Sequence, residues 1–261
     1  MDTKTAQTLS ELTQAFYAAV APSFSATRQA PWQGWEQAWR LMDLPTQREL
    51  RVWDVACGNL RFGRFLSEQG AAARIWAWDS CSALLEEAPP SGAVSYELEQ
   101  LDLVGLLDHT VAGTLSDDEE RAVGSLPPMD LAVSFGFMHH LPRAEQRQAL
   151  MRMLAGQLAP GGYALVSFWQ FADDERLRTK AELATQRARD QRGLAGLGAC
   201  DYLLGWQDRE DVLRFCHHCT EAEIDGLVAC VGAMAREVAR FSADGKGGRL
   251  NRYVLLRNEG C

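Results

Sequence analysis

Leu50-Arg51-Val52-Trp53-Asp54-Val55-Ala56-Cys57-Gly58-Asn59 decides how the chain reads. Leu50–Val55 is a short apolar run of the kind that forms a buried strand, and it ends in small residues. Gly58 lets a ligand approach the backbone, and Asp54 stands where an ammonium group can bind. The following segment, Phe62–Gln69 closed by Gly70, reads as a helix whose N-terminus offers free N–H groups to a carboxylate.

Outward from this stretch, strand and helix alternate. Arg74–Trp78 is a strand and Ser80–Glu87 a helix that Ser80 can cap. Ala93–Leu98 is a strand, followed by a polar loop carrying Asp117, Asp118, Glu119 and Glu120. Leu131–Phe135 is a buried strand, Arg143–Leu158 a helix stopped by Pro160-Gly161-Gly162, and Tyr163–Trp169 the next strand. Such alternation predicts an α/β, doubly wound, Rossmann-like parallel sheet. Thr220–Val231 reads as a helix, and Ala235–Phe241 with Asn251–Leu256 as a closing pair of strands joined by a Gly-rich loop.

Before this core, residues 3–20 form a helix with Leu9, Leu12, Phe16 and Val20 at helical spacing. A polar loop between Pro22 and Pro31 leads to a Trp-rich helix at 32–42. Residues 1–45 are read as an N-terminal helical cap, and 46–261 as the core. A helical insertion at about 171–210 carries Arg176, Arg178, Lys180, Arg187, Arg189 and Arg192, with acids interspersed as on a solvated face.

Open α/β sheets bind ligands at the carboxyl ends of their strands. Asp79 closes the second strand about 20 residues past the glycine loop, where an acid accepts both ribose hydroxyls. Asp102, after Leu101, stands where a carboxylate can accept from an adenine amino group. Ala56 and Leu60 occupy positions where a dinucleotide loop has glycine, so a pyrophosphate would be crowded; the smaller methionine end of S-adenosylmethionine (SAM) is not.

Val52 to Gly58, Trp78-Asp79-Ser80, Leu101-Asp102, Asp130 to Ser134 with His139-His140-Leu141, and Leu158-Ala159-Pro160-Gly161-Gly162-Tyr163 resemble, in order, the motifs of class I SAM-dependent methyltransferases. That resemblance implies a seven-stranded sheet with an antiparallel last strand. It places SAM on Asp54, Ala56, Cys57, Gly58, Asn59, Asp79, Ser80, Leu101, Asp102 and Ser134. More narrowly, Tyr17, Ser23 to Arg28 and Pro31-Trp32, with Asp201-Tyr202 to Trp206 and Arg214 to His217, resemble wobble-uridine tRNA carboxymethyl methyltransferases. This second resemblance implies that Tyr17, Arg28 and Trp32 fold over the methionine end of SAM, and that Trp206, Arg214 and His217 meet the substrate. The methyl acceptor is then a modified tRNA uridine. A small-molecule O- or N-methyltransferase, or a non-catalytic SAM-binding partner subunit, stays open beside it, as does association with a small partner subunit.

Methyl transfer from a sulfonium is an in-line displacement governed by positioning. A carboxylate acceptor is already ionised and needs no base; an amine or hydroxyl would need His139 or His140 to take its proton. Adjacent residues point apart, so one of the two histidines is read as structural. A net charge of −9 argues against broad nucleic-acid binding and leaves room only for a local basic surface. Neither a secretion signal nor a membrane-spanning run is visible, so a cytoplasmic protein with reduced cysteines is expected. Cys216-His217-His218-Cys219 lacks a second ligand pair in sequence, so no metal is assigned.

Overall fold

Strand β1 (Leu50–Val55) pairs in parallel with β2 (Ala73–Asp79) on one side and β4 (Met129–Ser134) on the other. Beyond them lie β3 (Val94–Gln100), β5 (Leu158–Trp169), β9 (Asn251–Arg257) and β8 (Arg236–Ala243), giving the order β3-β2-β1-β4-β5-β9-β8. The last strand, β9, inserts between β5 and β8 and is antiparallel to both. The computed structural model describes residues 1–86, 93–193, 196–207 and 209–260, without the side chains of residues 192 and 210. The predicted helix end at Glu87, the Arg192 side chain and Cys261 lie outside the described residues.

Side-chain alternation along the central strands buries two apolar clusters, one on each face. On one face Leu50, Val52 and Ile75 meet Trp35 of α2 (Gln33–Leu41) and Phe62, Phe65 and Leu66 of α3 (Arg61–Glu68). On the other, Trp53, Val55 and Trp78 meet α5 (Leu103–Ala112), α7 (Ala144–Gly156) and α9 (Glu221–Ala229). Gly162 belongs where β5 passes β4, because a Cβ there would stand 2.5 Å from the Met129 carbonyl oxygen.

Several local readings change. The first helix, α1 (Thr3–Ala26), runs through Pro22. The proline costs the helix a hydrogen bond, but Phe24 and Ser25 beyond it pack into the protein: the Phe24 ring lies 5.2 Å from Tyr17 and 5.4 Å from Trp206. The polar stretch before β4 is two helices. Asp102 caps α5, and α6 (Asp117–Gly124) opens with a capping box of Ser116 and Glu119. Four acids in its first turn face the positive end of the helix dipole, which is why an acidic run folds here. Ser80 does not cap α4 (Ser82–Leu85); the cap position is Cys81, whose N–H donates to Asp79 at 2.9 Å.

The insertion is not purely helical. After α8 (Glu175–Arg192) come β6 (Asp201–Trp206) and β7 (Arg209–His217), a separate antiparallel pair. Leu9 of α1, Ala188 of α8, Leu203 and Phe215 make their own small core. The cap and the insertion thus form one layer beside the main sheet.

Candidate cofactor and acceptor site

The strand order reverses between β1 and β4, and a cleft of about 590 Å³ opens at the carboxyl ends there. Its strand-end wall carries Asp54, Ala56, Cys57, Gly58, Asn59, Asp79 and Ser80. Ala56 N–H donates to the Trp78 carbonyl at 2.8 Å, which ties the loop to the end of β2. Gly58 has φ +55 and nothing within 4 Å of where a Cβ would be, so the space beside it is free for a ligand. Ala56 (φ 63) and Leu60 (φ 58) hold the same left-handed backbone without being glycine, so the loop keeps its shape at a cost in strain.

Asp79 accepts from Gly58 N–H (2.8 Å) and Cys81 N–H (2.9 Å), one on each oxygen. Each oxygen retains a lone pair for an outside donor. Burial raises its carboxyl while those N–H groups hold it down. Asp54 is buried, and burial together with the Asp79 charge pushes its carboxyl up to about 8. Such a group gains by meeting a cation. Leu84, Leu103 and Val104 give the far end of the cleft an apolar floor.

The opposite wall comes from the cap and the insertion. Ser10, Thr13, Gln14, Tyr17, Arg28 and Trp32 line it, with Arg214 of β7. The Arg28 guanidinium lies 4.8 Å from the Phe24 ring centroid and 5.3 Å from that of Trp206. That of Arg214 lies 4.8 Å from Phe16, 5.5 Å from Trp169 and 5.8 Å from Trp206. Among the described residues neither forms an ion pair with a carboxylate. One half-buried guanidinium (Arg28) and one buried (Arg214), both stacked on aromatic faces and facing the cleft, make this wall positively charged.

Both histidines line the cleft, with ring centroids 4.0 Å apart. The His140 Nδ1 lies 2.7 Å from the Phe215 carbonyl oxygen, which can only accept, so Nδ1 carries the proton. Its Nε2 therefore accepts from the Tyr17 hydroxyl at 2.8 Å. Burial and the Arg214 charge push His140 down to about 3, and burial pushes Tyr17 up to about 12. Burial and His140 hold His139 well below the usual imidazole value, and its Nδ1 is buried without a partner. Burial thus makes both rings weak bases.

Other predicted residues lie elsewhere. Asp102 bonds to Val104 N–H (3.2 Å) and the Gln14 amide (3.0 Å), and neither it nor Leu101 lines the cleft. Ser134 is fully buried behind the wall with its hydroxyl unpartnered. Trp206 backs Arg28 and donates to Ser23 at 2.9 Å. His217 does not reach the cleft: its nitrogens meet Asp201 (2.7 Å) and Glu223 (2.8 Å), because alternation along β7 turns it away from the side that presents Arg214. The sequence reading missed Arg61, Phe135, Asp244 and Asn251, which complete the cleft. Asp244, at φ 67, accepts from Tyr253 (2.6 Å) and Asn251 (2.8 Å); its only signal was the turn pair Asp244-Gly245.

This architecture recurs in solved structures. A SAM-dependent methyltransferase from Methanosarcina mazei covers 80% of the chain and 92% of its own length, at TM-score 0.54 and 14% identity. The CcbJ methyltransferase of Streptomyces caelestis covers 95% and 99%, at TM-score 0.55 and 15% identity. The fold is the class I methyltransferase fold. In sequence, a protein of Encephalitozoon cuniculi named as a methyltransferase is 26% identical over 202 residues, 77% of each chain. No protein-family model matches the chain. No described helix is long and apolar enough to cross a membrane. In this methyltransferase fold the cleft lies at the switch point of the sheet, and the N-terminal helices and the β6–β7 pair cover it.

Proposed function

We propose that the chain is a SAM-dependent methyltransferase that esterifies a carboxylate. The observation that carries this reading is the pairing of two guanidiniums on one wall, Arg28 half-buried and Arg214 buried, with two histidines that burial makes weak bases. An amine or hydroxyl acceptor must lose a proton, and a base far below the working pH takes it poorly. A carboxylate arrives ionised and needs only to be held.

The residues fit SAM. Asp79 has lone pairs for the ribose hydroxyls, Asp54 suits the ammonium group, the space beside Gly58 admits the methionine end, and Arg28 can pair with the SAM carboxylate. When bound, SAM supplies an electrophilic methyl group on a sulfonium. Arg214 then holds the acceptor carboxylate, while Phe16, Trp169 and Trp206 keep water from that charge pair. Tyr17 and His140 fix the wall that carries both arginines.

The narrower reading, a carboxymethyl group on a tRNA wobble uridine, draws on the terminal segments Tyr17 to Trp32 and Asp201 to His217. Anticodon bases are unstacked and need few contacts. A small carboxylate is the second reading, favoured by the net charge of −9. Labelled SAM, offered with tRNA carrying carboxymethyluridine and with a pool of small carboxylic acids, tests both. Label released by mild alkali marks an ester. Alkali-stable label on an amine would overturn the carboxylate reading, and label confined to the small acids would remove the tRNA.

A further inference from the structure

The Cys216-His217-His218-Cys219 run, unassigned by sequence, meets a further ligand in the fold. A ring nitrogen of His217, Cys219 Sγ and a Glu223 carboxylate oxygen all lie within 4.8 Å of one another, Glu223 being brought in by the first turn of α9. We propose that His217, Cys219 and Glu223 bind a zinc ion that clamps the β6–β7 pair to α9.

Two observations beyond the cluster support it. First, the other ring nitrogen of His217 meets Asp201 at 2.7 Å, the carboxylate partner that orients a zinc-bound imidazole. Second, Glu223 divides its oxygens. Oε1 accepts from Arg147 Nε at 2.8 Å, while Oε2 lies 2.8 Å from His217 Nε2, on the side of the cluster where both would ligate. Three protein ligands leave one tetrahedral position for water.

The fold also has a use for such a clamp. A two-stranded sheet is marginal on its own, and β7 carries Arg214 and the Phe215 carbonyl that holds His140. Arg147 extends the connection by donating to the Leu141 carbonyl at 2.7 Å, next to the histidine pair. A second candidate cluster, His139, His140 and Cys216, is a poorer site. A metal there would take His140 Nε2 and displace the Tyr17 hydroxyl that ties the cap to the cleft wall, whereas His217 Nε2 already faces a carboxylate able to ligate beside it.

The test uses the full chain, purified without chelator from zinc-supplemented medium and analysed for metal. About one zinc per chain is expected. After chelation, cobalt(II) should give an intense thiolate-to-metal band that is lost in Cys219→Ser and kept in Cys216→Ser. Circular dichroism checks that each variant is folded. If Cys219→Ser does not fold, Glu223→Gln should lower metal content instead. Wild-type protein with less than about a tenth of a zinc and no cobalt band would overturn the proposal, leaving His217 hydrogen-bonded between two carboxylates. A band lost in Cys216→Ser would overturn it too, moving the metal to the histidine pair.

Discussion

The two walls of the cleft are built by opposite means. On the strand-end side, Asp54, Gly58 and Asp79 sit at the ends of hydrogen-bonded neighbours, with Asp54 opposite Ala77 and Val55 opposite Trp78 in one register. Their positions follow from the sheet itself. On the cap side, Tyr17, Arg28 and Arg214 come from parts of the chain about two hundred residues apart, held by side chains: Tyr17 to His140 at 2.8 Å and Thr13 to the Phe215 N–H at 3.0 Å. A wall fixed by backbone suits a ligand part that never varies. A wall fixed by side chains can change its partner without disturbing the sheet.

Substitutions can break this division. Arg214→Met keeps the volume and removes the charge. We expect kcat/KM for the acceptor to fall by about 100-fold or more, since a buried charge pair is lost, while the Kd for SAM stays within about twofold. An equal loss of SAM affinity would mean that the walls do not divide the work. Asp79→Ala should do the reverse, weakening SAM by about 1–3 kcal/mol, or about 5- to 150-fold, in calorimetry. Unchanged binding would remove Asp79 from the site.

The next effect is one of pH. The Asp54 carboxyl, held at about 8, must ionise to meet an ammonium group, so SAM affinity should rise as pH climbs toward 8. The ligand-free fold behaves oppositely. An acid whose folded value is raised stabilises the fold below its ordinary pKa and loses that contribution as pH rises through about 8. Asp54→Asn should therefore abolish the pH dependence of binding and raise the apo Tm at pH 8–9. A wild-type affinity flat from pH 6 to 8 would count against the assignment.

The smallest expected effect tests loop strain. Ala56→Gly relieves a left-handed alanine and should leave SAM binding close to wild type while changing stability by about 1 kcal/mol or less in denaturant melts. Ala56 lines the cleft, so a large loss of affinity would show that its methyl group contacts the ligand.

The order of strands and helices, the switch point and the strand-end acids were legible in the sequence, because apolar periodicity and turn residues are local signals. Even the antiparallel closing strand was visible as two apolar runs around a Gly-rich loop. The errors lay where packing overrides local preference. Pro22 stays inside α1 because Phe24 and Ser25 pack beyond it, and an acidic run becomes α6 because Ser116 caps it. Only the tertiary structure decided what the histidines do, since the state of His140 depends on Tyr17 and Phe215, each far away in sequence. It also separated Arg214 from His217, near neighbours on β7, sending one to the cleft and the other to Asp201 and Glu223. Spacing along a chain specifies the face of a strand; what waits on that face is set by the segments that pack against it.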